Sequence, residues 1–371
     1  MTSPPAGATR GPADPTEWEH PDEEAPLARV TLQTIADEVG VSRMTVSNAF
    51  SRPDQLSSEL REKILDTARR LEYAGPDPSA RALVRGRTNV VGMVLTEDPR
   101  DAFRDDVAIG FVRAATERLA EAGYSLALLH SGSGDNIPAR DVAMDGTIVY
   151  ACTPQSEAVQ HLLRRRLPIV RVEGLPVAGV ADVSLDDAAG AAEAARHLLD
   201  LGHRDIALIV TGVDADDETL PAAPDTPHAP MERRIEGWES ALRAAGVDPR
   251  YVGTPGPDLD TTLTRRIGRM LDSAPTAVLA YSDLAAMEVI EQAQARGIDV
   301  PSELSVIGFD DNPIAERVRP RLTTVHQDVV RKGELAADLL LAQLRGEAVP
   351  RIDPLPTTLV VRETTTAPRT R

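Results

Sequence analysis

Residues 30–50 run VTLQTIADEVGVSRMTVSNAF, and the spacing within them decides how the first part of the chain folds. Thr31 can cap a helix in which Leu32, Ile35, Ala36 and Val39 recur at helical spacing, and Gly40 can end it. Ser42 can cap a second helix with Thr45, Val46 and Ala49 on its inner face. A third pattern starts near Ser57 and repeats Leu60, Ile64, Ala68 and Leu71. Helix, glycine turn, short polar helix and supporting helix make the helix-turn-helix pattern, whose second helix can lie in the DNA major groove.

On that second helix Arg43, Met44, Ser47 and Asn48 are left facing outward. Arg can take guanine O6 and N7 bidentately, Asn can do the same at adenine, and Met offers apolar contact to a thymine methyl. Thr31, Ser42 and Thr45 suit phosphates, which position the protein without specifying sequence. The plainer alternative for the same residues is a three-helix module with a solvated polar face.

Charge is distributed unevenly around this motif. The whole chain of 371 residues carries a formal charge of −18, which by itself argues against a polyanionic partner. Residues 1–26, however, hold one Arg against six acids, while residues 27–89 hold ten Lys and Arg against eight acids. A mildly basic module is thus joined to a strongly acidic body, as at a polyanion-binding end. Six prolines and little apolar content make residues 1–28 a disordered acidic arm. The helix-turn-helix occupies 29–75. Asp77 and Pro78 then suit the cap and first position of a short hinge helix within 76–88, too short to be stable unless docked on DNA or a partner.

From residue 89 onward the texture is different. Short apolar runs (VVGMVL 90–95, YSLALL 124–129, GTIVY 146–150, PIVRV 168–172, DIALIV 205–210, TAVLAY 276–281, LSVIGF 304–309) alternate with amphipathic helices near 106–122, 156–165, 187–201, 232–245, 260–272, 284–296 and 329–345. Such alternation predicts βαβ units with parallel strands, and the strands are too many for one sheet. The expected fold is an all-α helix-turn-helix headpiece followed by an α/β body of two doubly wound parallel-sheet subdomains spanning 89–371. Ligands in such folds bind at the carboxyl ends of strands, so the space between two sheets is the natural site. A proline-rich acidic loop, 214–230, falls at the expected mouth of that site.

The motif VTLQTIADEVGVSRMTVSNAF resembles the headpiece of LacI/GalR-type bacterial transcriptional repressors, whose pattern is VTLxDVAxxAGVSxxTVSxxx. The similarity continues through Leu71-Glu72-Tyr73 and the hinge Pro78-Ser79-Ala80-Arg81-Ala82-Leu83. It extends to ARHLLDLGHRDIALI (195–209), RIEGWESAL (234–242), YSDLAAMEVI (281–290), GIDVPSELSVIGFDD (297–311) and LTTVHQD (322–328). The family binds a small effector between two subdomains of periplasmic-binding-protein type. The resemblance implies that Arg81 and Leu83 enter the minor groove, Leu83 as a wedge between base steps. It also places Arg234 and Asp310 at the effector, with Phe103, Glu173, Asp186 and Ser282 around it. The hinge entry carries one residue more than the family's usual spacing, Glu173 stands where Asp is usual, and Ser282 stands where Asn is frequent.

Other chemistry is poorly represented. SGSGDN (131–136) lacks the third glycine of a dinucleotide loop, and no GxxxxGK[ST] or HExxH occurs. His130, His203 and His326 are isolated, the lone Cys152 suits a buried apolar position, and Arg164-Arg165-Arg166 suits a solvated helix end. No cofactor, metal, secretion signal or membrane span is expected. The sequence therefore points to a cytoplasmic, homodimeric regulator, a repressor rather than an enzyme. It would bind a pseudo-palindromic double-stranded DNA operator under control of a small-molecule effector, a sugar or related metabolite. A two-lobed solute-binding protein, or a sugar kinase fused to a helix-turn-helix, are the alternatives.

Overall fold

A computed structural model describes residues 30–95, 106–132, 134–152, 155–174, 177–212, 229–254 and 261–369. The chain divides into two compact units at the Gly86/Arg87 boundary.

The first unit begins with α1 (Leu32–Val39), α2 (Arg43–Ser51) and α3 (Ser58–Arg70). Thr31 and Ser42 cap α1 and α2 as the sequence leads one to expect, and Ser57 caps α3; each accepts from the backbone N–H three residues on. Gly40 closes α1 at φ 81°. Ile35, Ala36, Val39, Val46, Ala49, Ile64 and Ala68 form the small core, and Phe50 meets Tyr73 edge-on with ring centroids 5.9 Å apart. The hinge segment is helix α4 (Pro78–Arg85), and none of its residues is buried. The sequence leads one to expect it to form only when docked. Its start is capped by Asp77, whose carboxylate accepts from Ser79 and Ala80 N–H at 2.7 and 3.2 Å, and its end is closed by Gly86 at φ 68°.

The second unit contains two sheets. The first joins β1 (Val90–Leu95), β2 (Ser125–His130), β3 (Gly146–Tyr150), β4 (Ile169–Val172) and β5 (Ala181–Val183) in the order β2-β1-β3-β4-β5, all parallel. Helices α5 (Asp106–Glu121), α6 (Pro138–Asp141) and α7 (Glu157–Arg165) lie among these strands in sequence. After α8 (Asp187–Asp200) the second sheet follows, from β6 (Ile206–Thr211), β7 (Arg250–Thr254), β8 (Ala277–Ala280), β9 (Ser305–Asp310) and β10 (Thr323–Gln327). Its order, β7-β6-β8-β9-β10, repeats that of the first sheet, and an antiparallel edge strand β11 (Thr357–Val360) is added beside β10. Helices α9 (Ala229–Ala244), α10 (Thr261–Asp272), α11 (Asp283–Ala295), α12 (Ile314–Arg317) and α13 (Val329–Leu344) complete the unit.

Strand residues alternate between two cores, as parallel strands covered on both faces must. Val91, Met93 and Leu95 meet α5 and α13, whereas Val94 meets α6 and α7. The chain crosses between sheets three times: after β5, after β10, and after α13. The first and last crossings pair with each other, Asp186 N–H donating to Leu355 O and Leu355 N–H to Ser184 O, both at 2.8 Å. Because α13 follows β10 of the second sheet yet packs on the first, Lys332 near its start reaches both Glu173, just beyond β4, and Gln327, at the end of β10.

Four strands and two helical turns escape the sequence reading: β5, β7, β10, β11, α6 and α12. β10 shows why. Its Thr323 and Thr324 are fully buried, so a core strand is written in polar letters; Thr323 Oγ1 accepts from Arg362 N–H at 2.9 Å instead of packing as an apolar group.

Candidate nucleic-acid interface and inter-sheet site

On α2 the buried pair Val46 and Ala49 fixes which side faces the headpiece core. Arg43 and Met44 are exposed, Met44 at 69%, and Ser47 and Asn48 are half-buried. Asn48 Nδ2 donates to Gln55 Oε1 at 3.2 Å, a partner supplied by the 3-10 turn Pro53–Gln55 that the sequence does not announce. Ser42 Oγ and Thr45 Oγ1 lie 2.8 Å apart. Thr31 forms a reciprocal cap with Thr34. Both caps sit at helix N-termini with no acidic residue in the first turn, where backbone N–H groups favour an anion. Leu83 and Val84, each 86% exposed, are the large apolar side chains of α4 left in solvent, and Arg81 is exposed beside them.

In the second unit, charged residues at strand ends join into one buried chain. Arg234 on α9 donates through Nε to Asp187 Oδ1 at 3.0 Å, through Nη1 to the Tyr281 carbonyl, and through Nη2 to Asp310 Oδ1 at 3.5 Å. Its guanidinium also lies 3.6 Å from the centre of the Phe309 ring. Gln327, last residue of β10, donates to Asp310 Oδ1 at 2.6 Å and accepts from Lys332 Nζ at 2.7 Å. Lys332 on α13 also donates to Glu173 Oε1, just beyond β4, at 2.5 Å. Arg233 donates to the other oxygen of Asp187 at 3.1 Å. The chain thus runs from the end of the first sheet to the ends of β9 and β10 in the second.

Local backbone explains how these groups converge. Gly237, three residues after Arg234, lets α9 lie against α8, since a Cβ there would run into the Ala188 carbonyl. Glu173 and Asp310 adopt φ of 56° and 116°, sparsely populated by side chains other than Gly and found where function holds a residue in place. Burial opposes the Arg234 charge, but Asp187, Asp310 and Glu173 outweigh it and raise its pKa. Burial likewise opposes the Glu173 carboxylate, and Lys332 outweighs it, holding its pKa below the usual range. Among the described residues Asp283 forms no ion pair. Burial and the neighbouring Asp310 push its pKa well up, while it accepts hydrogen bonds from Thr324 Oγ1 and Asn312 N–H.

Residues 31–75 match the family described as bacterial regulatory proteins, lacI family, and residues 195–365 match a periplasmic binding protein-like domain. An HTH-type transcriptional regulator of Mycolicibacterium smegmatis is 37% identical over 92% of this chain and 98% of its own length. One from Mycobacterium tuberculosis is 36% identical over 90% and 96%. This chain belongs to the lacI family. A lac repressor dimer bound to operator and an anti-inducer shares the fold at TM-score 0.74 and 24% identity, covering 91% of this chain and 99% of that one. A complex of the regulator CelR with cellobiose matches at TM-score 0.63 and 27% identity over 91% and 100%.

The chain is therefore a helix-turn-helix transcriptional regulator of lacI type, and its headpiece and paired α/β subdomains are those of the family. Of the residues expected at the effector, Arg234, Asp310 and Glu173 lie in the buried chain. Asp186 and Ser282 cap helices, accepting from Ala189 and Ala285 N–H at 3.1 and 3.2 Å. The buried carboxylates are their neighbours, Asp187 and Asp283. Phe103 lies outside the described residues, as do the arm and most of the 214–230 loop. Asp187, Arg233, Gln327 and Lys332 were missed. Lys332 leaves one faint trace, a cation on the otherwise apolar side of α13.

His203, Cys152 and Arg165 are held within the protein framework. His203 is buried, within 3.0 Å of Thr276 Oγ1 and 2.8 Å of the Thr366 carbonyl, and burial lowers its pKa. Cys152 is buried. Arg165 corrects the expectation of a solvated helix end: it donates to the Ala139 and Val142 carbonyls at 2.7 and 3.1 Å, tying α7 to α6. Among the described residues no group of three His, Cys, Asp or Glu could hold a metal ion, and no helix is long and apolar enough to cross a membrane.

Proposed function

We propose that this regulator is a cytoplasmic repressor, without enzymatic activity, that binds a pseudo-palindromic operator as a homodimer and releases or retains it according to a small polar effector between its sheets. The observation that carries the reading is the α2 surface: Arg43 and Met44 stand exposed on a capped helix whose opposite side is fixed by Val46 and Ala49. Arg43, Met44, Ser47 and Asn48 are assigned to base edges, and Thr31, Ser42 and Thr45 to phosphates. Arg81 would follow the minor groove and Leu83 would wedge between base steps, since an 86% exposed leucine is otherwise unfavourable. Two headpieces are needed because one module buries little of the duplex.

The effector is assigned to Arg234, Asp310 and Glu173, with Asp186, Ser282 and Phe103 in supporting positions. Two relations support a sugar or related metabolite. CelR is seen with cellobiose and another lacI-type regulator, from Enterococcus faecium, with ribose. Occupancy would alter the strand-end chain and couple to operator affinity by about 1–3 kcal/mol.

The test is a gel shift on DNA from upstream of the protein's own coding region, with random DNA as control. Arg43→Ala and Asn48→Ala should each weaken specific binding by about 1–3 kcal/mol and leave non-specific binding in place. Equal losses on both DNAs would remove base readout from α2.

A further inference from the structure

Nearly every charge in the strand-end chain is satisfied, and one close to it is not. Arg171 on β4 is 2% exposed, yet among the described residues its Nη1 and Nη2 have no hydrogen-bond partner. Asp182 stands beside it in register on β5, with Nη2 and Oδ1 separated by 3.9 Å, too far for a hydrogen bond. That Oδ1 is unpartnered as well. Gly174, just past Glu173, leaves room for the guanidinium, because a Cβ there would meet Arg171 Nη2 and lie 3.1 Å from the Cys152 carbonyl. Burial lowers the Arg171 pKa and raises that of Asp182, whose surroundings also include Arg233 and Glu173. The pair therefore adjoins the buried chain, at the carboxyl ends of the first sheet's strands.

Idle buried polar atoms are costly, and a guanidinium more so than a neutral group. Two idle donors and one idle acceptor over this short span define the chemistry that would complete them. A carboxylate or phosphate group supplies acceptors alone, and its charge would face Asp182 and Glu173. A vicinal diol supplies both functions: one hydroxyl accepts from Nη1, and its neighbour accepts from Nη2 while donating to Asp182 Oδ1. The pair resembles Arg234 on α9 and Asp310 at the end of β9, whose contact is also slack at 3.5 Å.

We propose that Arg171 and Asp182 are specificity-determining residues of the effector site, holding a vicinal diol of an uncharged polyhydroxylated ligand from the side of the first sheet. The proposal rests on the effector reading above. It is tested by calorimetric titration of the full chain with D-glucose, D-ribose and cellobiose, their 2-deoxy counterparts where these exist, glucose 6-phosphate and gluconate. At least one neutral sugar should bind, and both Arg171→Met and Asp182→Asn should weaken it about ten- to a hundredfold. Removing a ligand hydroxyl should weaken binding to the natural protein but add little in the variants. Without ligand, the double variant should melt no lower than the natural protein, because the pair contributes no internal hydrogen bond between its two side chains.

Neutral-sugar binding indifferent to both substitutions would overturn the proposal and leave the effector reading intact. So would tighter binding of the phosphate or the acid, or a lower melting temperature of the unliganded double variant. Failure of every probe to bind the natural protein would overturn both readings together.

Discussion

The recognition helix and the strand-end chain use polar residues in opposite ways. On α2 they stand at the surface, and the cap and core beneath them settle their direction. In the strand-end chain they are buried and direct one another, Arg234 fixed by Asp187, Lys332 by Glu173. An exposed polar group can be exchanged with little effect on folding, since water replaces its partners. A buried one leaves its partner stranded.

The largest expected effect tests that contrast at its buried end. Lys332→Met should strand Glu173 and lower stability by about 3–5 kcal/mol in denaturant unfolding, with Lys332→Met/Glu173→Leu recovering most of it. A loss below about 1 kcal/mol for the single variant would place the pair in water and break the contrast. For comparison, Arg43→Ala on the exposed helix should leave stability within about 0.5 kcal/mol.

Asp283 sharpens the comparison through pH. Its folded pKa is raised by burial, so the folded state holds a proton that the unfolded chain releases near pH ~4. Stability from this proton is complete below that value and is lost as pH rises through the folded pKa. Asp283→Asn should therefore flatten the fall in melting temperature between about pH 4 and neutrality. Parallel profiles for the two proteins would show that Asp283 is already ionised.

The smallest effect belongs to the headpiece. Ser42→Ala removes the α2 cap and should lower stability by about 1 kcal/mol, read from the melting of the first unit. The same variant should weaken operator and random DNA alike if Ser42 serves phosphates. A loss confined to the operator would move it among the base-reading residues.

What the sequence by itself determined is the local part: Thr31, Ser42 and Asp77 as caps, Gly40 as a stop, seven apolar strands and the helices between them. These follow from groups a few residues apart, where capping and periodicity act. The outward direction of Arg43 and Met44 belongs to the same class, because Val46 and Ala49 lie within one turn of them.

Only the tertiary structure decided the rest. Glu173 and Lys332 are 159 residues apart, and Arg234 meets Asp187 only because Gly237 lets two helices touch. Asp186 and Asp187 look alike in the sequence, yet one caps a helix and the other is buried under two arginines. β10 was hidden because its buried threonines find partners far along the chain, Thr323 at residues 362 and 364 and Thr324 at Asp283, a compensation that no local pattern records. Burial converts an ordinary side chain into one that must find a partner, and in this fold the partner is chosen by three crossings of the chain between its sheets.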